Sequence, residues 1–256
     1  MVVTPTPTPG AYLEFQEAFD YFNKYLFDNS LPPCFIALQR DQQSKGYFTP
    51  GRLIRHSGEV ADEITLNPAY FAVLTSRQIL AVLVHEMVHM WQFHHGRPGR
   101  GRYHNKEWAN KMESIGLMPS DTGKPGGKRT GDCMNDYILP GSLFDAVCHN
   151  YEDSFDIASW CDRFPAYVSA PETPLEEQGG ASEEEKTRIR EEHEGLIRQR
   201  VKLEQMGVTF ALSPKKASNR VKYRCPRCWC QVWGKPGLRV RCMDCEGEPQ
   251  MVHVAD

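Results

Sequence analysis

The chain has 256 residues, nine of them cysteine, with 30 Lys and Arg against 33 Asp and Glu for a formal net charge of −3. This length carries one or two domains with a buried core, and 40% hydrophobic against 25% charged residues excludes a disordered chain. No apolar run approaches the roughly 18–20 residues of a membrane helix, and MVVTPTPTPG lacks the basic and apolar parts of a secretory signal.

The Thr-Pro repeat of residues 1–10 predicts an extended, disordered tail. Residues 11–28 place Tyr12, Phe15, Phe19, Phe22 and Leu26 at helical spacing, so an amphipathic helix is expected. Asn29 and Pro32-Pro33 end it. CFIALQ (34–39) reads as a buried strand, GYFTPGRLIR (46–55) as a hairpin around Pro50-Gly51, and EITLN (63–67) as a further strand. A second helix starts at Thr75, where Gln78 completes a capping box and Leu74 and Ile79 form a hydrophobic staple. It runs to about Phe93 and is apolar on most faces, which predicts a central, buried helix. After the loop GRPGRGR (96–102), residues 104–115 form a third helix closed by Gly116.

The glycine-rich stretch 117–135 predicts an irregular exposed loop, while 136–168 gives no clear element. PETPLEEQGG (171–180) reads as a linker. A long charged helix follows, with Ser182 and Glu185 as a capping box and a thin stripe of Ile189, Leu196 and Leu203. The expected domains are a tail (1–10), a catalytic domain (11–118), an extension (119–170), a linker and charged helix (171–206) and a cysteine-rich module (207–256).

The central helix carries His85-Glu86-Met87-Val88-His89. Histidines four residues apart lie about 40° apart around a helix, so both imidazoles reach one ion. Glu86 stands beside them, where a carboxylate can take a proton from metal-bound water. Three protein ligands plus water is the layout of a catalytic zinc site. Burying these polar groups in an apolar helix would be costly without such a purpose. His104 is favoured as third ligand, because a glycine-rich turn returns the chain there. Glu107, Glu113 and His95 remain alternatives; Gln92 stands where a bend toward His95 would need glycine.

Cys225-Pro-Arg-Cys228 and Cys242-Met-Asp-Cys245 give four thiolates on two knuckles, the pattern of a zinc ribbon with a structural ion. Cys230 is a spare that could replace Cys228. Lys222, Arg224, Arg227, Trp229, Trp233, Arg239 and Arg241 interleave cations with aromatics, which suits phosphate contact and base stacking. Trp229 and Trp233 could instead be the small core of the module. Residues 97–130 carry eight basic and three acidic side chains, and residues 207–256 carry nine and four. Each block is thus +5, with an acidic middle between them, so the net charge hides two basic blocks. The first block includes GKPGGKRTGD (123–132), read as a flexible basic loop. Asp132, Asp136 and Asp145 form an acidic group with little support as a metal site.

HEMVHMWQ, a glycine-containing turn and YHNKEWANKM together resemble the SprT-like zinc metalloprotease family, as do EITLNPAYF (63–71) and the terminal zinc ribbon. The resemblance covers roughly 11–116 and 222–247. It implies an α+β, minimal gluzincin-like domain, with helices packed on a small sheet and HExxH on the central helix. It implies zinc held by His85, His89 and His104, with Glu86 as the general base that activates water and then protonates the leaving amine. It further implies a protein substrate extended along an edge strand, for which EITLN is the expected strand, and proteolysis of DNA-bound or crosslinked proteins. The expected cofactors are two zinc ions, one catalytic and one structural. The expected partners are a peptide substrate and DNA, with no membrane. The cysteine usage and the lack of an export signal predict a reducing, cytoplasmic location, and the DNA partner that the resemblance implies extends this to the nucleoid. The competing functions are a non-catalytic nucleic-acid-binding regulator and a protease whose ribbon docks protein.

Overall fold

In a computed structural model, residues 6–40, 44–166, 183–211 and 221–254 are described. The chain forms two compact units, residues 1–211 and 212–256. The expected linker 171–180 and the capping residue Ser182 lie outside the described residues. So do residues 1–5 of the tail and the side chains of Glu185 and Ile189.

In the first unit, helix α1 spans Pro7–Phe27 and buries Phe15, Ala18, Phe19, Phe22 and Leu26 along one face. It begins earlier than the sequence suggests, taking in part of the expected tail. Proline is tolerated in a first helical turn because its missing N–H would have no partner there, and Thr6 precedes Pro7 as N-cap. Strand β1 (Phe35–Leu38) runs parallel to β3 (Val60–Leu66), and β2 (Gly46–Ile54) runs antiparallel to β3, giving the order β1-β3-β2.

Two expectations about this sheet are corrected. Pro50-Gly51 is not a hairpin turn but an irregularity within β2, where the register shifts between Thr49 and Leu53. Gly51 supplies the left-handed conformation (φ 56) and donates its N–H to Asp62 on β3. The true turn lies at residues 55–59, closed by Arg55 N–H to the Glu59 carbonyl at 2.8 Å. EITLN is also not an edge: β3 is paired on both sides, so β1 and β2 are the edges.

Helix α2 (Ser76–His95) starts at the expected capping box, with Thr75 and Gln78 bonded reciprocally. Helix α3 (Lys106–Ile115) ends at Gly116 in the left-handed region, φ 91. The stretch expected to be an irregular loop instead begins with a strand, β4 (Leu117–Ser120), paired antiparallel with β5 (Asn135–Ile138). Helix α4 (Leu143–Glu152) follows, capped by Ser142. Its Phe144, Val147, Cys148 and Tyr151 enter the same core as α1 and α2. Arg77 of α2 binds Asp145 and Glu152 of α4 at 2.8 Å each, tying the two helices at the rim of that core. Helix α5 (Glu183–Gln205) reaches Leu74, whose carbonyl accepts from the Gln199 amide. No helix among the described residues is long and apolar enough to cross a membrane.

The second unit is a three-stranded antiparallel sheet. β6 (Val221–Arg224) lies between β7 (Gln231–Gly234) and β8 (Val252–Val254). Tyr223, Cys225, Cys242 and Met251 form its core.

Gly116 joins α3 to β4 with no room for a side chain, because a Cβ there would overlap Ser142. Gly116→Ala combines that overlap with an unfavourable φ, so it is expected to lower unfolding stability by about 1–3 kcal/mol in chemical denaturation.

Candidate metal centre

The central helix α2 is apolar except where it meets the site. Ile79, Leu80, Leu83, Val84, Met87, Val88 and Met90 are buried around it, and among them Glu86 is also buried. His85 and His89 project from successive turns, and His104 comes from the residue before the α3 N-cap, Asn105. Ligand atoms of the three imidazoles all lie within 4.8 Å of one another. Neither Glu107, Glu113 nor His95 joins them. Glu107 is taken by the Arg97 N–H and Gln92 amide, Glu113 by Arg129, and His95 bonds the Ser30 carbonyl.

The hydrogen bonds of the rings settle which nitrogens face inward. His85 Nδ1 donates to Asp136 Oδ1 at 2.9 Å, and His104 Nδ1 donates to the Gly131 carbonyl at 3.0 Å. Both rings therefore keep Nε2 as a lone pair. His89 Nε2 lies 3.0 Å from His104 Nε2. Two nitrogens bound tetrahedrally to zinc at about 2.0–2.1 Å stand roughly 3.3 Å apart, so this close approach fits a shared cation. Burial, then the charges of His85 and His104, hold His89 well below the usual imidazole range; burial and His85 bring His104 to about 4. Both rings are neutral near pH 7, as metal ligands must be. At His85, burial acts downward, but the Asp136 hydrogen bond and the neighbouring carboxylates outweigh it and raise the value.

Burial pushes Glu86 up to about 7; His85 opposes this, Asp136 adds to it, and the Phe48 backbone N–H pulls down through a hydrogen bond. Phe48 lies on β2, which crosses α2 at this point. Gly46 permits the approach: a Cβ there would stand 3.0 Å from Val82 and 3.3 Å from the Glu86 side chain. Trp108 of α3 is fully buried beneath the three imidazoles, with ring centroids 4.9, 5.3 and 4.4 Å from His85, His89 and His104.

Three contributors escape a reading of the sequence. Asp136 stands there only as one of an acidic trio, which the structure does not assemble: Asp145 pairs with Arg77, and Asp136 serves His85. Gln92 stands there only as an absent glycine. Its amide donates to Asn105 and Glu107 at 2.8 Å each, and this bracing turns the chain from α2 into α3 and sets His104. Gly131 has no signal at all, since its role is a carbonyl in an isolated bridge with His104.

In the second unit, Cys225, Cys228, Cys242 and Cys245 converge within the same limit. Their sulfurs stand 3.5 Å (Cys228–Cys242) and 3.8 Å (Cys225–Cys245) apart. The edge of a tetrahedron with Zn–S of about 2.3 Å is roughly 3.8 Å, so the four thiols fit zinc.

Of the residues expected to touch nucleic acid, Lys222 lies over the Trp233 ring at 5.9 Å and Arg224 over Trp229 at 5.2 Å. Trp229 and Trp233 are exposed, at 64% and 59%, so neither is the core of the module. Arg227 is tied to the Glu246 carbonyl. Arg239 and Arg241 are exposed, but Arg239 lines a groove beside Tyr223 and His253, whose β-strand neighbours Lys222 and Arg224 point to the other face. In the first unit, the loop 121–131 is closed rather than loose. Asp121 N–H bonds the Lys128 carbonyl, Arg129 bonds Asn110 and Glu113, and Gly131 pairs with His104, while Lys124 and Lys128 stay exposed.

A mixed helix-and-sheet domain built around a buried HExxH helix and a third histidine, with a four-cysteine module following it in sequence, defines a class of proteins with two candidate metal sites. The SprT-like family matches residues 15–125. A Salmonella typhimurium protein described as "Uncharacterized protein in mucB 3'region" is 51% identical over 59 residues, which is 23% of this chain and 80% of that protein. No solved structure matches. The chain belongs to the SprT-like family.

Replacing Asp136 with Ala leaves His85 free to rotate and to change tautomer. The expected result is a metal affinity at the histidine site about 10–100-fold weaker, measured by chelator competition, with the cysteine site unchanged. Elemental analysis is expected to find two zinc ions per chain, falling to one in Cys225→Ser.

Proposed function

We propose that this chain is a zinc-dependent endopeptidase with a minimal gluzincin-like catalytic domain, acting on DNA-associated proteins. The observation that carries the reading is Glu86, a carboxylate buried on the same helix turn as the His85 and His89 imidazoles. A purely structural metal site has no use for a carboxylate held in that place. Its burial removes competing solvent, as the role of a general base beside the ion requires. His85, His89 and His104 would hold the ion. When bound, zinc supplies Lewis acidity, polarising the scissile carbonyl and acidifying water.

The chain's own groups do the rest. Glu86 accepts the proton of the attacking water and hands it to the leaving amine. The Phe48 N–H on β2 lies where it favours the ionised form of this carboxylate. Lys45 pairs with Asn67 across the sheet, so by alternation Gly46 and Phe48 direct their backbone groups to the open edge of β2. An extended peptide adding to that edge would run past Glu86, and main-chain pairing would make selection by side chain weak. β2 thus takes the role expected of EITLN.

Two features support DNA as the partner that positions substrate. The ribbon face presents Trp229 and Trp233 beside Arg224 and Lys222, a combination suited to unpaired bases and phosphates. Lys124 and Lys128 extend from the loop whose base is pinned to His104. On this reading the protein works where DNA is, in the cytoplasm and on the nucleoid.

The test incubates wild type and Glu86→Gln with a DNA-binding protein, with and without single- or double-stranded DNA. Glu86→Gln is expected to keep both zinc ions and lose about 10²–10⁴-fold in cleavage rate, self-cleavage included. Cleavage at the wild-type rate would refute the mechanism. Trp229→Ala is expected to weaken single-strand binding by about 1–3 kcal/mol in fluorescence titration and to leave cleavage of a free unfolded protein unchanged.

A further inference from the structure

The ribbon holds one thiol more than a tetrahedral site uses. Cys230 Sγ lies 3.5 Å from Cys242 Sγ, the same separation as that between Cys228 and Cys242. The backbone puts it there. Trp229, directly after the first knuckle, adopts the left-handed region (φ 64), an unfavourable conformation for a bulky residue. This reverses the chain, so that the Trp229 N–H donates to the Cys225 carbonyl and the Cys225 N–H donates to the Cys230 carbonyl. Cys230 is thereby folded back against the ribbon core, half-buried, with its sulfur flanking the Cys228–Cys242 edge of the cluster.

We propose that Cys230 and Cys242 form an oxidation-sensitive pair, and that a peroxide joins them in a disulfide and so opens the ribbon's metal site. In the first step, one sulfur of the pair attacks a peroxide oxygen. The O–O bond breaks, the sulfur becomes a sulfenic acid, and water leaves. The second sulfur then attacks the first, an S–S bond forms, and the hydroxyl departs as water. The two sulfurs give up two electrons; Cys230 supplies one proton and solvent the other, since Cys242 enters as a thiolate, and one hydrogen peroxide becomes two waters. The sulfurs must close from 3.5 Å to about 2.05 Å. Cys242 is then no longer a thiolate, and three ligands remain where the module needs four. This inference rests on the ribbon alone and stands apart from the protease reading.

The experiment treats the full, zinc-loaded chain with hydrogen peroxide. It follows zinc with a chromogenic chelator and maps disulfides by peptide mass. The expected result is release of one zinc per chain and a linked Cys230–Cys242 peptide, reversed by a reductant with added zinc. Cys230→Ser is expected to hold the same zinc when reduced and to release it at least about tenfold more slowly, because the second thiol of the exchange is gone. Release at the wild-type rate from that variant, or a disulfide that excludes Cys230, would overturn the proposal. So would loss of zinc from reduced Cys230→Ser, which would make Cys230 a ligand.

Discussion

The constraint that organises the first unit is the burial of polar groups in the middle of an apolar helix. Glu86 is 5% exposed and lies among side chains of which most are fully buried. A charged or half-bonded group there would cost on the order of several kcal/mol. Each neighbour answers that cost. Asp136 takes one nitrogen of His85, Gly131 one of His104, and the Phe48 N–H favours the ionised Glu86 from the sheet. Trp108 fills the space beneath the rings with apolar surface, leaving its own Nε1 without a hydrogen-bond partner among the described residues. The remaining need, for something to lie between His89 and His104, is one that a cation meets.

The two metal centres solve different electrostatic problems. The first uses neutral imidazoles, which leave the charge of an ion uncompensated and able to polarise a bound group. The second uses thiolates, which overcompensate it. Four thiolates around a dication carry about −2, a charge that formal counting omits. Lys222, Arg224 and Arg227 flank the first cysteine pair in sequence and would offset part of that charge. The overall value of −3 therefore describes neither unit.

Helix α2 is legible in the sequence because its signals are local. The capping box, the apolar faces and the two histidines fall within one continuous segment, and α3 with its terminal glycine is equally self-contained. The sheet is harder to read. Pro50-Gly51 carries the chemistry of a turn, and Gly51 does adopt the left-handed conformation, but Asp62 on the neighbouring strand captures its N–H and makes the feature a bulge. No local pattern distinguishes the two outcomes. The central position of β3 likewise depends on its parallel pairing with β1, which comes from a distant part of the chain. The histidine ligands are visible as a spacing, whereas Asp136 and Gln92 are visible only once the chain has folded, since their partners are other side chains. Trp229 and Trp233 admit two readings in sequence, and the burial of Tyr223 and Met251 in their place decides between core and surface.

The β4–β5 hairpin carries a consequence for how the centre tolerates change. His85 and Asp136 are 51 positions apart, and His104 and Gly131 are 27 apart, yet the first contact is made by β5 and the second by the end of the loop that leads into it. The family match ends at residue 125, between the two limbs. Doubling the length of a flexible connection costs only about 0.6 kcal/mol in closure entropy. Only the exposed turn around Pro125 and Gly126, beyond the bonds that close this loop, is therefore a place where insertions can be added at little thermodynamic cost. A one-residue slip in the pairing of Pro119 with Asp136 would instead turn the carboxylate to the opposite face and leave His85 unsupported. Length is free to drift there while register is not.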